Sequence, residues 1–374
     1  MPTLGPTMAE RGAIPPNLAS MTPPLPPPSG AWRRLAKPAL YGIARTVGFV
    51  SLLRWVYRRR VAILCYHSIV DRSLPPWVAA GGLHLPVGRF RQQMAFLARH
   101  YRVIPLDDLV EHRGQGIGRL PAPAVALTFD DGYANNLSLA APILAALGFP
   151  ATIFLPTAYI GREGLYWWDE LAVLLSAALG RRMRVAGWGR LDLTTTRTVR
   201  AAFGLGNRLL ASASLTERQD LLAALRGAIG HVAVGPWEEL LRPALWEECR
   251  AAPVNIRFGG HGASHRLLGA IPIADARTDL ECCAQTLRTE LGRRASAVFC
   301  YPGGGSTPAV RASLPMAGFT AAVTASASAS QEGLVSMESE RTLLVRIGVS
   351  ADTTLQAFAV HLSGLRRLLA LPAG

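Results

Sequence analysis

The sequence predicts an α/β protein organised on a parallel sheet, and three observations carry that prediction. Ala124 to Phe129 and Ala151 to Leu155 are short apolar runs joined by a sharp turn and a helical pattern, a strand–turn–helix–strand unit. Further apolar runs at Val61–Tyr66, Ile256–Gly260 and Ala297–Tyr301 are separated by segments of helical spacing. Polar chemistry gathers where these runs end: Asp130 and Asp131 follow the first, and His261 follows Ile256–Gly260. In parallel sheets, ligands bind beyond the carboxyl ends of the strands.

The chain of 374 residues has room for one large α/β domain with an insertion, or for two domains. Half of the residues are hydrophobic and 36 are glycine, enough for a sizeable core. The formal net charge is +14, and Lys37 is the one lysine among 39 basic residues. A basic balance draws polyanions or anionic membrane surfaces. The arginines are scattered without interleaved aromatics, so no nucleic-acid module of known type is visible and no nucleic-acid partner is expected. Five cysteines, Cys65, Cys249, Cys282, Cys283 and Cys300, form no spaced framework, which argues against a disulfide-stapled domain.

Taken in order, residues 1–31 open the chain with a Pro-rich stretch that includes Pro23-Pro-Leu-Pro-Pro-Pro28 and has no core to bury; disorder is expected there. Residues 32–60 run from Trp32-Arg33-Arg34 to Arg58-Arg59-Arg60 with an apolar pattern between. Arg45 and Arg54 interrupt it, so a membrane span, which needs about 20 apolar residues, is not expected. A basic amphipathic helix fits, lying on an anionic membrane face or on the protein's own surface. No small-x-small cleavage site follows it. With the thiols, this favours the cytoplasm as the expected compartment, with contact at the inner face of a membrane as the peripheral option.

Residues 61–352 form the main domain. The strand Val61–Tyr66 ends at His67, and Ser68 to Pro86 reads as a loop. Phe90, Met94 and Leu97 recur at helical spacing, Tyr101–Ile104 is a short strand, and Asp107-Asp108 sit at a helix start, where capping and the dipole explain them. After Asp130-Asp131, Gly132 permits a sharp turn and Pro142 kinks or delays the next helix. One Asp at such a turn is a helix cap; two adjacent carboxylates repel and point to function. Residues 165–250 read as an insertion: a helix opened by Tyr166-Trp167-Trp168, a hairpin from Arg181 to Thr195, then helices near 197–212, 216–230 and 237–251. The aromatics suit a core, or a face that stacks on sugars. Helices near 274–291 and 308–317, strands at 320–324 and 343–349, and a terminal helix within 353–374 complete the chain.

His261-Gly-Ala-Ser-His265 holds two imidazoles four residues apart. In a helical turn both would point the same way. Two converging histidines are half of a metal site, and one carboxylate, with Asp131 the natural choice, completes a two-His, one-Asp set.

These motifs together resemble the polysaccharide deacetylases of the NodB type, carbohydrate esterase family four. The likeness covers roughly 61–165 and 245–350 and follows that family's motif order. It implies a distorted (β/α) barrel that removes acetyl groups, most of all N-acetyl, from a polysaccharide or oligosaccharide. Thr128-Phe-Asp-Asp-Gly-Tyr133 resembles the first motif, making Asp130 the general base and Asp131 a metal ligand. His261 and His265 match the second motif and supply the other ligands. Phe299-Cys-Tyr-Pro-Gly-Gly304 resembles the third, in which the N–H of Gly303 helps to hold the oxyanion. The implied cofactor is a divalent metal, zinc first, with cobalt, nickel or manganese as alternatives. Leu64-Cys-Tyr-His67 is similar to the start of the branch that handles cell-surface polysaccharides. The chain departs from the pattern at Gly262, where Ser or Thr is usual, and at Cys300, where an arginine is usual. The acid and tryptophan of the fourth motif are not recognisable around Ala317 to Ser326. The last motif's Leu-x-His is replaced by Leu343-Leu-Val-Arg-Ile347, which leaves His67 as the candidate general acid.

Two other classes share features of the sequence. A non-haem iron oxygenase also uses two histidines and a carboxylate, but the alternating strands and helices do not suit its all-β barrel. A glycan-binding or scaffold protein with a decayed site would account for the absent Leu-x-His but gives no reason to keep Asp130 and three metal ligands.

Overall fold

Alternation along the strands sorts this protein's core into two layers. The computed structural model describes residues 60–112, 123–324 and 334–364, apart from 75, 80, 233, 234, 236 and 336–338. The Pro-rich segment and the expected amphipathic helix, save Arg60, lie outside the described residues. No described helix is long and apolar enough to cross a membrane.

The strands β1 (Val61–Tyr66), β2 (Ser68–Val70), β3 (His84–Pro86), β4 (Arg102–Val103), β5 (Ala124–Phe129) and β6 (Ala151–Leu155) come first. The hairpin β7 (Arg182–Val185) and β8 (Gly189–Asp192) lies in the insertion. Then follow β9 (Ile256–Gly260), β10 (Ala295–Cys300), β11 (Ala321–Thr324), β12 (Leu334–Val335), β13 (Leu344–Val345) and β14 (Ile347–Gly348). Every residue of β1, β5 and β6 is buried, as expected of parallel strands covered on both faces. The parallel ladder runs β1-β5-β6-β9-β10-β11-β13. Only Arg346 separates β13 from β14, and β14 pairs back with β1. The sheet therefore wraps into a nearly closed barrel.

One set of alternate residues, including Val61, Ile63, Ala124, Ala126, Val298, Ala321, Val323 and Leu344, packs inside that barrel. Helix α2 (Leu106–His112) adds Leu106 and Leu109 to the same cluster. The opposite set, with Leu64, Leu127, Phe129 and Ile153, lies under the surrounding helices. Helix α1 (Val87–His100) contributes Phe90, Met94 and Leu97 to it, the spacing that predicted the helix. After β5 a single π-helical turn, Asn136–Ala140, leads into α3 (Ala141–Ala146), which begins late, with Pro142 in its first turn.

The insertion has its own core, centred on α4 (Trp167–Ala177), the hairpin, α5 (Thr196–Ser212) and α6 (Leu215–Ile229). The expected helix near 237–251 is two pieces, Glu238–Leu241 and α7 (Trp246–Ala251), because Pro243 between them cannot continue a helix. The segment 68–86 is not the simple loop the sequence suggests: β2 and β3 pair, with one helical turn at Pro76–Ala79. The last strand, expected as one run over 343–349, is the β13/β14 pair broken at Arg346. Helices α8 (Ile273–Leu291), α9 (Pro308–Ala317) and α10 (Leu355–Ser363) occupy the expected segments.

Candidate metal centre and its comparisons

The ladder register brings the polar strand ends together. Tyr66 lies opposite Phe129, so His67 stands beside Asp130, whose N–H donates to the Tyr66 carbonyl at 2.9 Å. Leu155 lies opposite Gly260, and the His261 N–H donates to the Leu155 carbonyl at 2.9 Å. Phe299 pairs with Gly260, which sets Cys300 and Tyr301 next to His261.

The two carboxylates point to different partners, and that is how they tolerate adjacency. Asp130 continues the inward face of β5, two residues beyond Thr128 and four beyond Ala126. There it meets Arg346, which continues the inward face of β13. The guanidinium donates to Asp130 Oδ1 and Oδ2 at 2.7 Å each, to Thr128 Oγ1 at 3.0 Å, and to Cys300 Sγ at 3.1 Å. The thiols of Cys65 and Cys300 donate to Asp130 Oδ2 at 3.4 and 3.5 Å. Burial alone would raise the Asp130 pKa, but the charge and hydrogen bonds of Arg346 outweigh it and hold the carboxyl well below the usual range. His67 Nε2 is 3.9 Å from Asp130 Oδ2. Its side chain is 26% exposed against 6% for Asp130, so it faces the open end of the site.

Asp131 turns the other way. Its Oδ1 lies 3.4 Å from His261 Nε2 and 3.2 Å from His265 Nε2. Asp131 and His265 are the described non-glycine residues with positive φ, at 70° and 54°. Such conformations cost free energy and persist where the surroundings impose them, often at functional sites. Gly132, at φ 65°, completes the turn; a Cβ there would lie 2.5 Å from Leu155 Cδ2. The Tyr166 hydroxyl donates to the Asp131 carbonyl, and the Ala244 N–H donates to the Gly132 carbonyl at 2.9 Å, so the insertion braces this turn.

The imidazoles converge without a helix. Residues 261–265 form a loop, and the rings meet at a centroid distance of 4.8 Å because His265 is left-handed. That corrects the helical-turn expectation. Asp279, on α8, organises the loop: its carboxylate accepts from the N–H groups of Ala263 at 2.7 Å and Ser264 at 3.0 Å, and from the Ser264 hydroxyl. Gly262 has φ 72°, and a Cβ on it would lie 2.7 Å from Asp279 Oδ1. Where the family usually has Ser or Thr, the loop is instead held by Asp279 and Ser264, and glycine is what leaves room for that carboxylate.

His261 Nδ1 donates to the Cys300 carbonyl at 2.8 Å, which fixes the tautomer and turns Nε2 toward Asp131. Burial pulls the His265 imidazole below its ordinary pKa. For His261, burial acts the same way but is outweighed by the hydrogen bond to Asp131 and the negative charge of Asp130, which raise it. A proton and a cation compete for that Nε2. Asp131 itself is held well below the usual carboxylate range, since its bonds to both histidines outweigh burial.

Among the described residues, three groups bring potential ligand atoms within 4.8 Å of one another: Asp131–His261–His265, Cys65–His67–Asp130 and Asp130–His261–Cys300. The last two both require Asp130, whose oxygens face the fixed positive charge of Arg346, and a second cation there would be repelled. The first set fits a divalent metal: two imidazole nitrogens and one carboxylate oxygen, anchored from behind.

The polysaccharide deacetylase family model matches residues 118–322, more than half of the chain. The chain belongs to the polysaccharide deacetylase family. No curated protein sequence matches it. Its fold is similar to that of the Streptococcus pyogenes deacetylase PplD in complex with acetate, with 15% identity, 81% of this chain and 98% of that chain covered, and a TM-score of 0.53. IcaB from Ammonifex degensii is similar at 16% identity over 82% of this chain and 97% of that chain, TM-score 0.47. The BpsB deacetylase domain from Bordetella bronchiseptica is similar at 16% identity over 78% and 96%, TM-score 0.47. The protein is thus a carbohydrate deacetylase with the distorted (β/α) barrel that the resemblance implied.

In this deacetylase Asp130, Asp131, His67, His261 and His265 all lie at one end of the barrel. Gly303 lies in the 3-10 turn Pro302–Gly304 that follows β10, and Pro302 Cγ would be 3.7 Å from a Cβ on Gly262, so the turn adjoins the ligand loop. Arg346 was missed by sequence reasoning. The signal for it was present: a lone arginine in the last apolar strand, and a cysteine where the third motif usually has an arginine. The aromatic run is core, with Tyr166, Trp167 and Trp168 at most 7% exposed. Trp168 packs on the His265 ring at 4.6 Å and donates to the Tyr133 hydroxyl at 2.7 Å, which in turn donates to Asp169 at 2.8 Å.

Proposed function

We propose that this deacetylase hydrolyses N-acetyl groups on a polysaccharide or oligosaccharide and that Asp131, His261 and His265 hold the divalent cation it needs. The observation that carries the reading is the convergence of Asp131 Oδ1 on both Nε2 atoms, at 3.4 and 3.2 Å, one residue from a carboxylate locked by Arg346. A cation held there, zinc first with cobalt, nickel or manganese as alternatives, would polarise the acetyl carbonyl and lower the pKa of a water towards about 7.

The chain's own residues supply the rest. Asp130 accepts the proton of the attacking water through Oδ1, which keeps a further lone pair beyond its bond to Arg346, whereas Oδ2 is taken by Arg346 and the two thiols. Arg346 keeps that carboxylate ionised and fixed in direction. The Gly303 N–H donates to the charge that develops on the acetyl oxygen, a contribution of about 3–4 kcal/mol for one such donor. His67, partly exposed beside Asp130, donates the proton that the departing sugar amine takes as the acetyl C–N bond breaks. The water oxygen leaves in acetate. The basic segment 32–60 is proposed to rest on the cytoplasmic face of an anionic membrane; equal vesicle binding by the Arg58, Arg59 and Arg60→Glu variant would remove that part.

The test is metal analysis of the purified protein followed by acetate release from acetylated oligosaccharides. Asp131→Ala should lose the metal; Asp130→Asn should keep it and lose turnover. Full activity in either variant overturns these roles. Stoichiometric metal without acetate release from any acetylated glycan would favour the glycan-binding alternative.

A further inference from the structure

The basic charge is not evenly spread over the described surface. Residues 181–212 carry seven arginines and one acid, Asp192. Two of the seven are engaged: Arg181 donates to the Ile229 carbonyl at 3.0 Å, and Arg182 pairs with Asp192 at 3.2 Å. The other five, Arg184, Arg190, Arg197, Arg200 and Arg208, are exposed, and none forms an ion pair among the described residues.

Their placement is ordered. Arg184 and Arg190 are directly opposed across the hairpin, an arrangement of like charges that costs stability unless an anion lies over it. On α5, Arg197, Arg200 and Arg208 fall within about 80° of one another at 100° per residue and span about 17 Å. The opposite face of α5 is core, since Gly206 and Leu210 are buried there. No acid stands on the helix to neutralise the stripe.

The stripe leads to the candidate metal centre. At the carboxyl end of α5 the Ala211 carbonyl accepts from the Leu267 N–H at 3.1 Å, and the Ser212 carbonyl accepts from Arg266 Nε at 3.3 Å. Arg266 and Leu267 directly follow His265. Arg208 thus stands one helical turn from the residues that anchor the segment just after the ligand loop.

We propose that the arginine face of α5 binds an anionic polysaccharide, one that carries carboxylate or other acid groups on its sugars, and aligns it with the metal centre. The proposal takes from the functional reading that the occupant is a glycan and that it is held at the candidate metal centre. A polymer with acid groups at regular intervals matches a linear row of guanidinium groups that ends at the site, and each guanidinium offers a fork suited to carboxylate. An anionic membrane would match a flat field of charge equally well, but it gives no reason for the row to end at His265.

The full-length protein is tested for binding to hyaluronan oligosaccharides, to uncharged chitin oligosaccharides and to phosphatidylglycerol vesicles, at several salt concentrations. The variants are the triple Arg197→Ser, Arg200→Ser, Arg208→Ser and the matching triple Arg→Lys, all at exposed positions. Wild type should bind hyaluronan with an affinity that falls as salt rises. The serine triple should lose at least about tenfold of it with a shallower salt slope, and the lysine triple, which keeps the charge but not the fork, should lose less than the serine triple and keep the salt slope. Acetate release from chitin oligosaccharides should be equal in all three proteins. No hyaluronan binding by wild type, unchanged binding in the serine triple, or a loss confined to vesicles overturns the proposal. Absence of acetate release from hyaluronan and chitin oligosaccharides alike, with hyaluronan binding that still depends on the stripe, counts against the hydrolytic reading and leaves this one standing.

Discussion

Asp130 and Arg346, 216 residues apart in sequence, form a two-pronged pair inside the barrel mouth, with both bonds at 2.7 Å. The pair exists because two strands present their inward faces at the same height. It also explains why Cys300 stands where the family's third motif usually has an arginine. A guanidinium from β10 would compete for the space that Arg346 fills from the last strand, whereas the thiol accepts from Arg346 at 3.1 Å.

Arg346→Ala should therefore leave Asp130 buried without its counter-charge. Breaking one side of a buried ion pair costs about 3–5 kcal/mol, so the denaturation midpoint should fall clearly. Acetate release should fall by about 100-fold or more, as expected if the proposed general base loses its positioning, while metal content stays near wild type because Asp131 and both histidines are untouched. Arg346→Lys restores the charge but not the fork and should recover stability more than turnover. Wild-type turnover in Arg346→Ala would show that Asp130 does not need this partner.

The ligand loop gives a second test. Gly262→Ala places a Cβ 2.7 Å from Asp279 Oδ1 at a φ of 72°. Strain of this kind costs about 1–3 kcal/mol, and here it acts on the loop that carries both histidines. Asp279→Ala removes three bonds to that loop without touching a ligand. Both variants should bind zinc more weakly, by about 10- to 100-fold as for other supporting partners, as read by competition with a chromophoric chelator. Unaltered affinity in both would mean that the loop holds its shape by other means.

Much of this could be read from the chain. The strand ends at Asp130, Asp131, His261 and His67 follow from apolar runs that stop abruptly, and the parallel ladder then places them at one end. What the sequence concealed was long-range or conformational. Arg346 sits between two strands too short to show their period, and its partner is fixed only once the barrel closes. The left-handed backbone of Asp131 and His265 has no local signature, since neither residue type requires it. Asp279 looks like an ordinary helix-surface acid until α8 is packed against β9. The insertion's aromatics were legible as apolar but not as the brace behind His265.

Arg218 predicts how far the insertion supports the site. It is buried on α6 and donates to the Leu210 carbonyl at 2.9 Å, the Ser264 carbonyl at 2.9 Å and the Tyr159 hydroxyl at 2.5 Å, with its guanidinium 5.0 Å from the Trp167 ring centre. One side chain thus ties α5, the ligand loop and the strand end after β6 together. Arg218→Met keeps the volume and leaves those acceptors buried without donors, at about 1–3 kcal/mol each. Urea unfolding should show a loss of several kcal/mol, and zinc affinity should fall with it because Ser264 neighbours His265. A loss of stability with unchanged zinc affinity would confine Arg218 to the insertion's own core.

Thiol reactivity separates the cysteines by burial. Cys65, Cys249, Cys283 and Cys300 are buried, and Cys282 is exposed on α8. Burial pushes the Cys249 thiol up to about 12 and raises those of Cys65, Cys283 and Cys300 as well. Since the thiolate is the reacting form, the four buried groups are both shielded and protonated near neutral pH. Iodoacetamide at pH 8 should add one carbamidomethyl group to the folded protein, located at Cys282 by peptide mass mapping, and five after denaturation. Early labelling of Cys300 or Cys65 in the folded protein would mean that the barrel mouth around Asp130 opens, and with it that the Arg346 pair is not permanently closed in solution.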